Sequence, residues 1–385
     1  MAQVATFTPL GVSPGHPHAV VFDISADGET VVGVVQLPSS PYRRGFVWRN
    51  GQISLLMASP NGPGFNGEVV TRVSADGHVI IGTEGSGQGI RWVDGVVEIL
   101  APPPGGWTGT RPTAVSQDGS IFFASWLRFE SGVWTGTPLV ETLDCTDSGH
   151  VHVGLWIPPQ SSSNLLAIHA SDGTVIVPQP TLSGSSVSCR ISSRGEFLVC
   201  TQAGTPFLWH FGQPGVTLLE WPLGLTYMTF VGGISDDGRI VVGSWVNSPE
   251  NLLLYGSPLI PPYVYPALLW EASRGTRSIE NVLRQLGVDI GDWRLVGATG
   301  CSSDGLTIAG TGVNPQGQLE GWRVTLPGIP PSPDFDNSRV LDVADVFAFL
   351  TVWFSGGVLA DFNLDGMIDV SDIFQFLQFW FGQLL

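Results

Sequence analysis

The sequence contains no lysine, because all 16 of its basic residues are arginine. This absence excludes a Schiff-base lysine and the lysine of a P-loop nucleotide site. Charged residues make up only 13% of the chain, and the formal net charge is −17. An excess of negative charge disfavours nucleic acids and anionic membranes as partners.

Long apolar stretches are also missing. The run VFAFLTVWF is far shorter than the roughly 20 residues that cross a bilayer as a helix, so we expect no membrane insertion. The opening MAQVATFTPLG lacks the basic start and the apolar centre of a secretory signal. If the protein is secreted, we therefore expect its leader to lie outside this chain.

Cysteine is scarce, and none of the four residues stands in a Cys-x-x-Cys pair. A zinc cluster is therefore not expected. Cys189 and Cys200 flank one turn, and both a cross-strand disulfide and two buried thiols fit this spacing. The G-x-S-x-G and H-E-x-x-H motifs of hydrolases are absent as well.

Glycine (50) and proline (29) are abundant instead, as in proteins with many short strands and turns. One phrase recurs seven times, in which a Ser/Thr-rich turn that usually contains Asp-Gly leads into an apolar run. The copies are ISADGETVVG, VSADGHVIIG, VSQDGSIFFA, CTDSGHVHVG, ISSRGEFLVC, ISDDGRIVVG and CSSDGLTIAG. An Asp-Gly tip between β-prone runs predicts a tight hairpin.

A second phrase follows most copies: an apolar strand that ends at Trp, a turn, and another apolar strand. Examples are GFVWRNGQISLL, GIRWVDGVVEIL and GVWTGTPLVETL, and in the fourth unit LLAIHASDGTVIV fills this place without a Trp. Together the two phrases give four short strands in roughly 45 residues, the size of a propeller blade. The seven units therefore predict a mostly β protein, a seven-bladed β-propeller.

The ends of the repeat region predict a closed ring. The seventh unit stops after its third strand, GWRVTLPG, and the N-terminal ATFTPLG resembles the missing fourth strand. Pairing of the two would leave no open sheet edge. One interruption, SIENVLRQLG, predicts a short helix on the rim, with Ser278 as its N-cap and Gly287 as its stop.

The repeat pattern resembles the HAF-repeat family of β-propellers over residues 4 to 327. Its most family-specific stretch is SIENVLRQLGVDIGDWRLVGATGCSSDGLTIAGTGVNPQGQLEGWRVTLP. The resemblance implies a secreted propeller. It implies no particular activity, because the family has no settled one.

Two acidic segments follow the repeats and align with each other at a spacing of 27 residues: DFDNSRVLDVADVFAFLTVWFSG and DFNLDGMIDVSDIFQFLQFWFGQ. In the second segment, oxygen donors occupy the positions of an EF-hand calcium loop, with Gly366 at the sharp turn. These predicted ligands are Asp361, Asn363, Asp365, the Met367 carbonyl, Asp369 and Asp372.

The first segment places a similar set at the same positions: Asp334, Asp336, Ser338, the Val340 carbonyl, Asp342 and Asp345. Arg339 replaces the turn glycine, and a non-glycine residue in the left-handed conformation costs about 1–2 kcal/mol. We therefore expect two Ca²⁺ sites, of which the first is weaker. Eight acidic residues and one arginine in the two segments would repel one another without a cation.

Paired loops of this kind, each followed by a helix, resemble the type I dockerin module over residues 334–383. The resemblance implies a calcium-dependent bond to a cohesin-type partner. Val343, Ala344, Val370 and Ser371 occupy the cohesin-contact positions. Many dockerins carry Ser-Thr there, so another cell-envelope protein is a second candidate partner. The chain would then divide into a propeller (1–327), a proline-rich linker (328–333) and a dockerin-like module (334–385).

Two further groups of polar residues stand in the repeats. The turn aspartates, among them Asp27, Asp76 and Asp237, resemble the paired acids of glycosidases, but Asp-Gly is also the expected hairpin turn, and we favour the turn role. The pairs His16-x-His18 and His150-x-His152 would put two imidazoles on one strand face, yet no carboxylate at a set spacing completes a metal site. We therefore predict no catalytic residues.

The sequence thus predicts an extracellular or cell-envelope protein, in which a non-catalytic recognition propeller is tethered by a calcium-binding module. The alternative is a polysaccharide-active propeller enzyme that the module docks into a degradative complex. A polysaccharide is then the second class of partner to expect.

Overall fold

Seven four-stranded antiparallel sheets form the repeat region in the computed structural model, which confirms the seven-bladed propeller. Structural statements below concern the described residues, which are 5–11, 15–37, 43–60, 67–103, 111–159, 164–171, 173–178, 187–202, 204–219, 230–244, 266–272, 275–327, 333, 335, 341–356, 360, 362 and 368–382.

The first four blades follow one another in chain order after β1 (Thr6–Gly11). Their strands are β2 (Ala19–Ile24), β3 (Val31–Gln36), β4 (Arg43–Arg49) and β5 (Gln52–Leu55) in blade 1; β6 (Val69–Val73), β7 (Val79–Thr83), β8 (Gly89–Val93) and β9 (Val96–Ile99) in blade 2; β10 (Ala114–Val115), β11 (Ile121–Ala124), β12 (Leu127–Glu130) and β13 (Val133–Gly136) in blade 3; β14 (Glu141–Cys145), β15 (His152–Trp156), β16 (Leu165–Ala170) and β17 (Gly173–Ile176) in blade 4.

The last three blades complete the ring. Their strands are β18 (Val187–Ile191), β19 (Phe197–Gln202), β20 (Thr205–His210) and β21 (Thr217–Leu218) in blade 5; β22 (Phe230–Ile234), β23 (Ile240–Ser244), β24 (Leu268–Glu271) and β25 (Gly275–Ser278) in blade 6; β26 (Arg294–Cys301), β27 (Thr307–Val313) and β28 (Leu319–Thr325) in blade 7. The first strand of each blade lies next to the first strands of its two neighbours, so β2, β6, β10, β14, β18, β22 and β26 surround the axis.

The N-terminal strand β1 closes the ring, as the sequence predicts. It is the fourth strand of blade 7 and pairs antiparallel with β28, with Thr6 opposite Thr325. Leu10 is buried, and the Phe7 ring contacts Trp293 edge-on with centroids 5.2 Å apart. Blade 7 therefore joins residues from both ends of the repeat region, and β28 is not left as an edge strand.

The recurring turns hold adjacent blades together. The backbone N–H of Ala26 donates to Ala75 of the next blade at 3.0 Å, similar bonds follow around the ring, and Ser303 donates back to Ala26 at 2.8 Å. Each turn glycine has a positive φ and packs on the preceding blade; a Cβ on Gly238 would lie 2.5 Å from Phe197 Cδ1. Asp-Gly therefore serves both the turn and the contact between blades.

Tryptophans of the second phrase pack within the blades. Five of them lie in third strands and are at most 8% exposed: Trp48, Trp92, Trp209, Trp270 and Trp322. Their burial agrees with a packing role, not with an exposed sugar-stacking surface.

Blade 3 differs from the prediction. The phrase GVWTGTPLVETL placed Trp134 at the end of a third strand, but Trp134 lies in the fourth strand, β13. Phe129 occupies the third strand, and its ring stacks on Phe122 at 4.5 Å. The turn at Ser131-Gly132 joins β12 to β13 with two residues of positive φ, as equivalent turns do in blades 1 and 2. What shortens blade 3 is the connection between β11 and β12, which is only Ser125-Trp126.

Three helices are described: α1 (Ile279–Gln285), α2 (Val343–Ser355) and α3 (Val370–Gly382). The predicted cap of α1 is confirmed, because Ser278 Oγ accepts from the Asn281 N–H at 3.2 Å. The apolar side of α1 is buried in the core of blades 6 and 7, so this connection is part of the core as well as of the rim. Within the described residues, no helix combines the length and apolar character needed to cross a membrane.

The structure resolves the cysteine alternatives. Cys189 and Cys200 lie directly opposite each other on β18 and β19, with Cα atoms 4.2 Å apart, and form a disulfide. Cys145 and Cys301 are free thiols, and burial raises the pKa of both. Both thiols should therefore react slowly in the native protein.

Alkylation of the unfolded, unreduced protein should label two cysteines, and labelling after reduction should reach four, as counted by mass spectrometry. Reduction should lower the free energy of unfolding by about 2–3 kcal/mol, because the bond closes a loop of 11 residues. The Cys189→Ala/Cys200→Ala variant should lose this sensitivity to reductant. Four labelled cysteines before reduction would contradict the disulfide.

Candidate functional site

The helices α2 and α3 pack through a pair of stacked phenylalanines. Phe349 and Phe376 are fully buried and stack at 4.3 Å with an interplanar angle of 2°. Phe335 meets Phe349 edge-on at 5.3 Å, and Phe362 meets Phe376 in the same way at 5.2 Å. Phe349 and Phe376 are 27 residues apart in the sequence, as are Phe335 and Phe362, so the two segments form one core with approximate two-fold symmetry.

Each helix also donates a hydrogen bond to the residue just before the other helix, where the acidic loop of that segment ends. The indole N–H of Trp353 donates to the Asp369 carbonyl at 2.9 Å, and that of Trp380 donates to the Asp342 carbonyl at 3.2 Å. These bonds are equivalent under the 27-residue repeat. The two loop ends are therefore positioned by both helices, not by their own segment alone.

Four of the predicted calcium ligands begin the two helices. Asp342 caps α2 by accepting from the Ala344 N–H at 2.7 Å, and Asp345 accepts from the Asp342 N–H at 2.9 Å. The same pattern recurs at α3, where Asp369 Oδ1 accepts from the Ser371 N–H at 2.7 Å and Asp372 Oδ2 from the Asp369 N–H at 2.9 Å. The Ser371 hydroxyl also donates to Asp369, and it holds the pKa of that carboxyl below its usual value.

Asp345 and Asp372 are fully buried, although both are carboxylates. A buried carboxylate is costly unless a charge or several donors compensate it. Asp372 also accepts from the Phe362 N–H at 2.7 Å, and an oxygen-only donor set suits Ca²⁺. The described part of the two segments thus fits the predicted cation.

The remaining predicted ligands lie outside the described residues: Asp334, Asp336, Ser338, Val340, Asp361, Asn363, Asp365 and Met367. Among the residues that the structure does describe, no group of three or more His, Cys, Asp or Glu side chains is placed to hold a metal. The two Ca²⁺ sites therefore stay predictions.

The four predicted partner-contact residues, Val343, Ala344, Val370 and Ser371, are all exposed at the starts of α2 and α3. Four phenylalanines extend the apolar surface, and each is more than half exposed: Phe347, Phe354, Phe374 and Phe381. They too form pairs at 27 residues. The sequence shows that both helices are rich in aromatic residues, but only the packing shows which of these rings are exposed to solvent.

The turn aspartates are engaged within their own turns. Asp27 accepts from the Ser25 hydroxyl at 2.5 Å and from the Glu29 N–H at 2.9 Å. The same pair of bonds recurs at Asp76, Asp118, Asp237 and Asp304. This geometry agrees with the favoured turn role.

The two imidazoles of the pair His150-x-His152 lie in different surroundings. His150 contacts Arg128 at the surface, while the His152 ring is buried against His169 at 5.1 Å. Burial lowers the pKa of His152 to about 4, and the charge of His169 adds to this effect. His18 accepts from the Leu319 N–H at 3.2 Å. Each of these three histidines is thus engaged with its own blade or with the neighbouring one.

One set of residues was missed at the level of sequence. Each inner strand has an equivalent position five residues before its turn glycine, and we call these seven residues the channel ring: Asp23, Arg72, Ala114, Asp144, Arg190, Gly233 and Gly300. A β-bulge directly precedes this position in β2, β6, β14, β22 and β26, and bulges redirect side chains. An alignment of the seven units shows this position, because it holds acidic, basic or small residues while the residues on either side are mostly apolar.

The charged members of the channel ring come from four blades. Asp23 accepts from the Val73 N–H and Asp144 from the Ile191 N–H, each at 3.0 Å. Arg190 donates from Nε to the Gly232 carbonyl at 2.8 Å and lies over the ring of Phe230. Each bond joins neighbouring blades, so these side chains link the inner strands.

Electrostatics couple these groups across the axis. Burial raises the pKa of Asp23, and the charges of Arg72 and Arg190 oppose this shift. The pKa of Arg190 is lowered to about 10, chiefly by burial and then by the charge of Arg72, while Asp144 and Asp23 oppose the shift. Arg190 therefore stays charged at neutral pH.

Comparison with solved structures identifies other propellers of similar size. The chain is similar to an oligogalacturonate lyase in complex with manganese, with a TM-score of 0.51 and 12% identity over 85% of this chain and 98% of the other. It is also similar to an oligogalacturonate lyase from Vibrio parahaemolyticus, with a TM-score of 0.53 and 10% identity over the same shares. At such identities the likeness shows the β-propeller fold alone. No protein-family model and no curated protein matches the sequence.

Proposed function

We propose that this protein is a secreted recognition propeller, held at its site of action by a calcium-dependent dockerin-like module. Its partner is a cohesin-type or other cell-envelope protein. The observation that carries the proposal is that two carboxylates at equivalent positions, Asp345 and Asp372, are buried at the starts of α2 and α3. The two helices are joined by a matching pair of tryptophan hydrogen bonds.

The exposed surface of the helices supports a protein partner. Val343 and Phe347 on α2 correspond to Val370 and Phe374 on α3, and all four are more than half exposed. Exposed apolar patches of this kind mark interaction sites. Since these residues follow the capped helix starts, a cation that orders the loops would also fix the surface.

The test is capture of envelope and secreted proteins of the source organism on the immobilised full chain, with calcium or with EDTA. We expect a partner that is retained only with calcium. The matched control is Val343→Asp/Val370→Asp, which leaves the carboxylates in place and should lose the partner while it still binds calcium. A partner retained equally in EDTA, or by the control variant, would refute calcium-dependent docking through these helices.

A second candidate is a polysaccharide-active propeller enzyme. The asymmetric charge of the channel ring favours it, because catalytic sites in repeat proteins break the repeat symmetry. Release of new reducing ends from a panel of polysaccharides tests this candidate. Activity that is lost in Asp144→Asn would support it, and an inactive wild-type protein would leave the recognition role.

A further inference from the structure

The charged residues of the channel ring alternate in sign around one half of the axis. Asp23 in blade 1 is followed by Arg72 in blade 2, and Asp144 in blade 4 by Arg190 in blade 5. Each acid accepts from the backbone N–H of the residue that follows the arginine of the next blade, which is Val73 for Asp23 and Ile191 for Asp144. The two Asp/Arg pairs are therefore arranged in the same way, three blades apart.

Arg190 carries an unused donor. Its Nε and Nη1 donate to Gly232 and Cys189, but among the described residues Nη2 has no hydrogen-bond partner, although Arg190 is only 8% exposed. A buried charged donor without a partner is costly. An anion bound beside Arg190 would compensate this donor.

Within the described residues, no ion pair within 4.0 Å joins the four charged members of the channel ring to one another. A network with only a structural role would be expected to close into direct pairs, because unpaired buried charges are unfavourable. Asp23, Arg72 and Asp144 are also partly reached by solvent. The opposite charges of the ring are thus left without direct pairing, and three of the four are open to solvent.

The two glycines of the channel ring lie in blades 6 and 7. Gly233 and Gly300 lie where strands crowd together, and a Cβ on Gly300 would lie 2.8 Å from Ile24 Cγ2. These glycines are required by packing and add no side chain for recognition. The charged half alone therefore defines the chemistry of the site.

We propose that the channel ring binds a small organic carboxylate that also carries hydroxyl or ammonium groups. The carboxylate meets the guanidinium groups of Arg190 and Arg72, whose planar forks match its two oxygens. The hydroxyl or ammonium groups of the same molecule donate to Asp23 and Asp144, since a carboxylate accepts several donors. A sugar acid and an α-amino acid share this chemistry.

The test is calorimetric titration of the full-length protein at low salt with D-galacturonate, L-glutamate and D-galactose. One of the two acids should bind, and galactose should not, because it lacks the carboxylate. Arg190→Gln should weaken binding of that acid about tenfold or more, since it removes a charged hydrogen bond. The matched control is Arg91→Gln, which removes a surface arginine that pairs with Glu98 in blade 2, and it should bind as the wild type does.

Equal binding of galactose and galacturonate would overturn the proposal, as would the absence of binding by both acids or an unchanged affinity in Arg190→Gln. If Arg190→Gln fails to fold by circular dichroism, Arg72→Gln replaces it, because the one hydrogen bond described for Arg72 goes to the neighbouring Thr71 carbonyl. The inference rests on the recognition role of the propeller but not on the tether. Titration in EDTA therefore distinguishes the channel site from the tether. If the acid still binds the channel while no protein partner is captured with calcium, the tether alone is refuted.

Discussion

Deletion of residues 1–11 should destabilise the propeller by at least about 4 kcal/mol, with a fall in melting temperature of about 10 °C. The deletion removes β1, so β28 loses its partner and becomes an open edge. It also removes the buried Leu10 and the contact of Phe7 with Trp293. Thermal unfolding followed by circular dichroism measures the effect.

The matched control is deletion of residues 1–4, which precede β1 and should leave the melting temperature unchanged. A peptide with the sequence of residues 4–14, added to the longer deletion, should restore part of the stability by pairing with β28. If the longer deletion melts as the full chain does, β1 does not contribute to closure in solution.

Calcium should stabilise the C-terminal helices, and Asp372→Asn should remove most of this gain. A ligand at 100 times its dissociation constant adds about 2.7 kcal/mol to the folded state. Asparagine keeps one oxygen acceptor where Asp372 uses two, for the Asp369 and Phe362 N–H groups, and it lacks the charge that a cation needs. Calorimetric titration with calcium and melting with and without EDTA measure the two effects.

Asp345→Asn should have the smaller effect, because Arg339 replaces the turn glycine of the first loop. The matched control is Asp94→Asn, an exposed acid of blade 2 that contacts His78 and should not alter the response to calcium. An equal melting temperature with calcium and EDTA in the wild type would refute the calcium sites.

Much of the propeller is predictable because each blade repeats the same local signals. Asp-Gly turns, β-branched runs and the tryptophan of the third strand recur in register, and every unit supports the interpretation of the others. The prediction erred in blade 3, where Phe129 took the tryptophan's place and only Ser125-Trp126 connect the second and third strands. A local departure of this kind has no second copy to correct it.

The channel ring could not be derived from one blade. Asp23, Arg72, Asp144 and Arg190 are far apart in the sequence, and each taken alone resembles an ordinary polar residue beside a turn. They come together because seven inner strands surround one axis. Similarly, the spacing of Cys189 and Cys200 allowed a bond, but only the pairing of β18 with β19 formed it.

The sequence by itself determined the number of blades, the closing strand, the α1 cap and the 27-residue repeat of the tail, since these depend on periodicity and local turn chemistry. Tertiary structure alone decided which charges face one another in the channel, which cysteines bond, and which aromatic rings of the tail are buried. Those outcomes depend on contacts between residues distant in the chain, and no local pattern specifies them.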